Sequence, residues 1–251
     1  MVYYVVYKAS KNYTNRSLIP LRLRTIGCKQ INKTFWEFDK EKMHEVLKVL
    51  RKNQPIVLKR IKEIKKRTIA EGRIQDLGSL VVVTFRVPKD EKERVRNFVK
   101  KAPCIRLCKR VYAFYQRYSR FDSENKLIDA QRLAVLIKKH GGEVKLLPKI
   151  VVLDESSVER LLDETRRKVE KEIFDIRQKC LRLYYKCVNN ECKQRQVSES
   201  LRKIKRQFLW LRRKTSYYKK WIKLDLSKDL MTAYRALNKV RQTVIRINLE
   251  T

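Results

Sequence analysis

The chain opens on an apolar run, VYYVVYK (2–8), whose β-branched and aromatic residues predict a strand. NRSLIPLRLRTIG follows with helical spacing. Leu18, Ile19, Leu23 and Ile26 share a face, Gly27 closes it, and Pro20 fits only in a first turn. KQINKTFWEF (29–38) is extended. DKEKMHEVLKVLRKN is an amphipathic helix with Met43, Val46, Leu47 and Leu50 inward and Asp39 at its start. PIVLKRI (55–61) is a short strand. The polar stretch KEIKKRTIAEGRIQDLG after it is expected to be a linker, partly helical.

The order then recurs. SLVVVTFRV (79–87) is a strand, and DEKERVRNFVKKA a helix with Val95, Phe98 and Val99 inward. CIRLCKRVYAFYQRY (104–118) is extended and long enough for a hairpin. NKLIDAQRLAVLIKKHGGE is a helix closed by Gly141 and Gly142, and VKLLPKIVVLD (144–154) is the last extended piece. Setting KQINKTFWEF against IRLCKRVYAFY matches Lys33 with Arg110, Phe35 with Tyr112 and Phe38 with Tyr115. The expected fold class is α+β: two tandem ferredoxin-like (split βαβ) domains, 1–75 with a linker and 76–154, followed by an all-α region, 155–251. That last region has Val158, Leu161, Leu162, Val169, Ile173, Ile176, Cys180 and Leu183 at helical spacing. A turn is expected at Asn189-Asn190 and a second helix from near Ser198 through KIKRQFLWLRRK. A third, from about Ser227, would turn Leu230, Tyr234, Leu237, Val240, Val244 and Ile247 inward. The arrangement is a helical hairpin or three-helix bundle.

Charge changes the picture most. There are 63 Lys and Arg against 27 Asp and Glu, a net charge of +36 in 251 residues. The three regions carry +13, +9 and +14, so the excess is no tail. Such an imbalance opposes compaction unless a polyanion shares the field, and nucleic acid is the leading partner class, ahead of an anionic membrane surface. No stretch approaches the length of a membrane helix, and the opening run lacks a signal peptide's basic flank, so a cytoplasmic location is expected. Cys28, Cys104, Cys108, Cys180, Cys187 and Cys192 lack paired CxxC spacing. They read as small apolar residues; a zinc site from Cys180, Cys187 and Cys192 with His140 is the weaker alternative.

The sharpest nucleic-acid signal is RKIKRQFLWLRRKTSYYKKWIK (202–223), with ten basic residues and no acid. Arg206, Arg212, Arg213, Lys219 and Lys220 are candidates for phosphate, and Tyr217 and Trp221 for stacking on bases. Leu201, Ile204, Phe208 and Leu211 have core spacing, which leaves a basic face outward. The second signal is the repeated extended element. Lys29, Lys33, Arg106 and Arg110, with Lys109, Arg117 and Arg120, lie on or beside it, and strand alternation is expected to project such residues from one sheet face.

Catalytic constellations are sparse. His44 lies within a helix and His140 at a helix C-terminus, neither near a triad. No glycine loop for phosphates exists. Asp90 stands just after the 79–87 strand with Glu93 three residues on, which reads as a helix cap and only secondarily as a metal ligand. No resident cofactor or metal is expected.

The paired pattern, strand–helix–"KQINKTFWEF" and strand–helix–"RLCKRVYAFY", resembles the smaller CRISPR adaptation protein family, ferredoxin-like domains that pair through their sheets. The tandem chain would imitate that family's homodimer. LRKIKRQFLWLRRKTSYYKKWIKLDLSKDLMTAYRALNKV is similar to the helical segment of chromate-resistance regulators, where a basic helix precedes an aromatic-rich turn and another helix. The resemblance implies a metal-binding Asp at the end of the first strand. The matching places here hold Lys8-Ala9-Ser10 and Arg86-Val87-Pro88, with Asp90 two residues late.

Three functions follow as expectations. The first is a nucleic-acid-binding protein without catalysis, duplex DNA favoured, recognising shape and backbone. The second is a Mg²⁺- or Mn²⁺-dependent nuclease using Asp90 with Asp122 or Asp154. The third is an assembly protein, with a homodimer contact or a protein partner docked on the helical region.

Overall fold

The computed structural model describes residues 1–8, 18–116, 127–189 and 194–249, with the backbone alone at 194 and 247–249. The chain forms two compact units, Met1–Asp163 and Glu164–Thr251.

The first unit is α+β. Its first six elements are β1 (Val2–Val6), α1 (Leu18–Thr25), β2 (Lys29–Asn32), β3 (Phe35–Asp39), α2 (Met43–Leu50) and β4 (Ile56–Arg60). After a small hairpin, β5 (Thr68–Ala70) and β6 (Arg73–Asp76), the order repeats. It runs through β7 (Leu80–Arg86), α3 (Lys92–Lys101), β8 (Ile105–Cys108), β9 (Val111–Tyr115), α4 (Ala130–Lys139) and β10 (Glu143–Val152). The eight long-range strands form one antiparallel sheet in the order β2-β3-β1-β4-β10-β7-β9-β8. Each half therefore places its first strand between its third and fourth. The halves join where β10 pairs with β4, Val151 opposite Lys59.

Helices cover one face of each half. Tyr3, Val5, Trp36, Phe38 and Val57 pack with Ile19, Leu23, Val46 and Leu50; Val83, Phe85 and Phe114 pack with Val95, Val99, Leu133 and Ile137. The alternate residues are buried too: Tyr4, Val6, Phe35, Ile56, Leu58, Val82, Thr84, Val111 and Ala113 are all under 5% exposed. The sheet folds back on itself, because Asn32 Nδ2 donates to Thr84 Oγ1 at 2.9 Å and Thr34 Oγ1 to Cys108 Sγ at 3.2 Å. Burial on both faces explains why the strands read as continuous apolar runs without alternation.

The 62–78 segment is neither helical nor a plain linker. Thr68 and Ile69 pair with Asp76 and Ile74 across a two-residue turn, Glu71-Gly72, both with positive φ (49° and 77°). That turn type matches strand twist, and Ile69 and Ile74 flank it, a hairpin signal short enough to be hidden among charges. Gly78 (φ 73°) closes the segment, where an added Cβ would lie 2.8 Å from Arg67 N.

Ladder register also corrects the repeat by one residue. Phe35 pairs with Val6 and Val111 with Thr84, while Trp36 pairs with Val5 and Tyr112 with Val83. Lys33 thus matches Lys109, Phe35 matches Val111, and Phe38 matches Phe114. A one-residue slip exchanges sheet faces.

The second unit consists of α6 (Gln194–Ile222), α7 (Ser227–Leu249) and most of α5 (Glu155–Val188), which begins in the first unit. Val169, Ile173, Ile176, Cys180 and Leu183 form the buried stripe of α5, and Ala233, Leu237, Val240 and Val244 that of α7. Each pair of helices is in contact: Lys179 with Gln207, Phe208 with Tyr234, and Lys239 over Tyr184. Helix α6 differs from expectation at its end. The aromatic stretch 215–221 continues the helix, and the break comes at Lys223 (φ 50°). Tyr234 is 44% exposed, lying over Phe208 at the rim and outside the core.

Candidate nucleic-acid interface

Helix α6 sorts its charges by helical phase. Ile204, Phe208, Leu211, Tyr218 and Trp221 face inward. Lys205–Arg206, Arg212–Arg213 and Lys219–Lys220 are exposed, as are Arg202, Lys203 and Lys223. The three pairs recur every seven residues, two turns or about 10 Å along the axis. They form a cationic stripe opposite the core stripe. One pairing within reach is Lys219 Nζ to Asp225 Oδ2 at 2.7 Å. That bond, with those from Ser227, holds the exposed Asp225 carboxyl well below the usual range.

The tenth cation of the segment behaves differently. Lys214 is 2% exposed and binds Glu172 of α5 at 2.6 Å. It belongs to the helix contact and not to the stripe. Its phase, three residues after Leu211 and four before Tyr218, is the sequence signal that marks it.

Of the two residues expected to stack on bases, Trp221 is turned into the core. Trp221 is 3% exposed, with Tyr217 at 6.0 Å edge-on and Tyr218 at 6.4 Å, so it offers no face to a base. Tyr217 is half-buried against it. Trp210 is half-buried under the Arg213 guanidinium at 5.7 Å. Exposed cations therefore dominate the outer face of the segment, with Trp210 and Tyr217 the aromatics that keep partial exposure.

In the first unit the expected single basic sheet face is absent among the described residues. Lys29 pairs with Glu37, which lies opposite Tyr4; Arg106 pairs with Tyr112, which lies opposite Val83. Tyr4 is on the inner face of the folded sheet and Val83 on the helix-covered face, so Lys29 and Arg106 point opposite ways. What gathers is at the hairpin turns. Lys33 lies on the β2–β3 turn, Lys109 and Arg110 (φ 65°) on the β8–β9 turn, and the two turns meet at the Thr34–Cys108 contact. Arg106 Nε donates to the Cys108 carbonyl at 3.4 Å. Burial pushes the Cys108 thiol up to about 11, against the lowering influence of Thr34, Arg106 and Lys8. Arg117, Arg120 and Asp122 lie outside the described residues, as does Cys192.

Asp90 is exposed and precedes the N-cap of α3, which is Glu91, and that cap has no side-chain bond. It therefore neither caps the helix nor joins a ligand group: among the described residues no three His, Cys, Asp or Glu side chains converge as for a metal ion. Glu91 instead turns to His140 Nδ1 at 3.1 Å and Arg94 at 3.1 Å, tying the start of α3 to the end of α4. True caps occur elsewhere. Asp129 accepts from Arg132 N at 2.7 Å, and Asp154 from Ser157 N at 2.9 Å. Asp39 sits at the start of a short 3₁₀ turn, Lys40–Lys42, that leads into α2, without a side-chain cap bond. Cys180 and Cys187 are buried along α5, and burial lifts the Cys180 thiol to about 11, as expected for apolar use. No described helix is long and apolar enough to cross a membrane.

No protein-family model matches the chain, and no match is found among curated proteins or solved structures.

Proposed function

We propose that the protein binds nucleic acid through its phosphate backbone, duplex DNA in preference to single strands, and acts by binding without catalysis. The observation that carries this reading is the stripe of α6, where cation pairs recur every two turns while Phe208, Tyr218 and Trp221 of the same segment are buried. Exposed cations release counterions from a duplex; with Phe208, Tyr218 and Trp221 turned into the core, the stripe offers a splayed single strand few rings to stack on. The net charge of +36 favours the same partner.

The reading extends to the fold. Each half of the sheet is proposed as a ferredoxin-like domain, supported by its strand–helix–strand–strand–helix–strand order and by the first strand lying between the third and fourth. The halves would then stand in for a pair of subunits, with Lys8 where the resembled family has its carboxylate.

The test replaces Arg206, Arg212, Arg213 and Lys220 by Ala in the full chain. These side chains are exposed, so folding is retained. Duplex affinity should fall, and the slope of log K against log salt should flatten by about 0.9 for each phosphate that is no longer neutralised. Unchanged affinity and slope would remove α6 from the interface.

A further inference from the structure

The two hairpin turns of the first unit come from positions 74 residues apart, yet they meet through Thr34 and Cys108. The sheet folding that brings them together also concentrates cations. Lys33 is exposed on one turn; Lys109 and Arg110 occupy the other. Lys8 follows β1 directly, its backbone N bonded to the Asn53 carbonyl, and Tyr7 N to the Thr34 carbonyl, so the chain after β1 runs beside the first turn. Lys145 pairs with Thr84, the residue that holds Asn32, and so projects on the inner face at the same end of the sheet. Arg106 folds back over the second turn.

Among the described residues, Lys33, Lys109, Arg110 and Lys145 make no side-chain hydrogen bond or ion pair. The acids of the two hairpins, Glu37 and Asp39, sit towards the other end of β3, opposite Tyr4 and Val2. Unbalanced like charges gathered by a fold raise its self-repulsion, and an anion relieves it. The second turn adds a backbone feature: Arg110 holds a left-handed conformation that a non-glycine residue adopts at some cost, and this aims its side chain differently from a regular strand residue.

We propose that the junction of the two turns is a phosphate site, built by both halves and occupied by one phosphate group of the bound nucleic acid or by a free phosphate compound. The nucleic-acid arm rests on the function proposed above; the site itself does not.

The experiment compares three full-length proteins: wild type, a turn variant (Lys33→Gln, Lys109→Gln, Arg110→Asn) and the α6 variant with Arg206, Arg212, Arg213 and Lys220 replaced by Ala. Asn keeps Arg110's left-handed backbone accessible. Each is titrated with a 20-base-pair duplex over a salt series and heated with and without millimolar pyrophosphate. The proposal expects pyrophosphate to raise the melting temperature of wild type and α6 variant and not of the turn variant. If nucleic acid supplies the phosphate, the salt slope of the turn variant is also shallower by about 0.9 for each phosphate left unneutralised. Pyrophosphate protection without a change in duplex binding assigns the site to a free phosphate compound. Turn and wild-type proteins alike in both assays would overturn the site, whatever the α6 variant does. An α6 variant alike to wild type, with the turn variant altered, would sink the α6 interface and leave this site standing.

Discussion

The helical unit and the sheet unit display cations by different physics. On α6 one 3.6-residue period separates core from charge, so eight exposed cations from Arg202 to Lys220 follow from the phase of Ile204, Phe208 and Leu211. In the sheet both faces are buried, and strand positions have little room for free Lys or Arg. Charge is expelled to turns, edges and strand ends, and only the folding of the sheet decides which of those meet. The difference teaches that a basic sequence stretch becomes a surface directly on a helix, but only through long-range register in a doubly covered sheet.

The largest effect is expected where the helical phase is disturbed. Removing the Glu172 carboxylate (Glu172→Ala) takes the 2.6 Å partner from the buried Lys214 ammonium and should destabilise the protein by about 3 kcal/mol. Urea denaturation measures this. Pairing Glu172→Leu with Lys214→Met should restore most of that stability. In the sheet unit the corresponding change is Thr84→Val, which strands Asn32 Nδ2 inside and should cost about 1–3 kcal/mol. If it costs nothing, the folded-back arrangement of the halves is wrong.

Helix starts give smaller effects with opposite expectations for two similar residues. Asp129→Ala should cost about 1 kcal/mol, since its carboxylate binds Arg132 N. Asp90→Ala should stay within about 0.5 kcal/mol. Asp154 gives a pH signature. Partial burial pushes its carboxyl up, but hydrogen bonds from Ser157 and Ser156 outweigh this and hold it below the ordinary carboxylate value. A depressed folded value means the stabilisation is present above the unfolded value and is lost as pH falls through the folded one. Asp154→Asn should therefore flatten the acid side of the stability profile below about pH 4.

Much of the α+β order is legible in the sequence because each strand is a β-branched run and each helix has one apolar stripe. The helical region is legible for the same reason, up to the end of α6, where Tyr217, Tyr218 and Trp221 resemble a turn but keep the core phase. Other features are not. The 68–76 hairpin hides in a charged stretch whose only mark is Glu71-Gly72. The repeat aligns one residue off, because Phe35-Trp36 and Val111-Tyr112 are apolar on both faces and no alternation fixes register. Nothing in its neighbours marks Lys145, since its place beside Thr84 depends on the β7–β10 ladder. The Asp90–Glu93 spacing imitates a cap one residue before the real helix boundary.

In the proposed function the exposed cations read a duplex backbone. The most direct measurement is equilibrium binding of the full chain to duplex and single-stranded DNA of one sequence and length, over a salt series without divalent metal. Tighter duplex binding is expected at every salt concentration, with a log–log slope of several units, about 0.9 for each phosphate neutralised. Equal or tighter binding to the single strand, or a slope near zero, would contradict it.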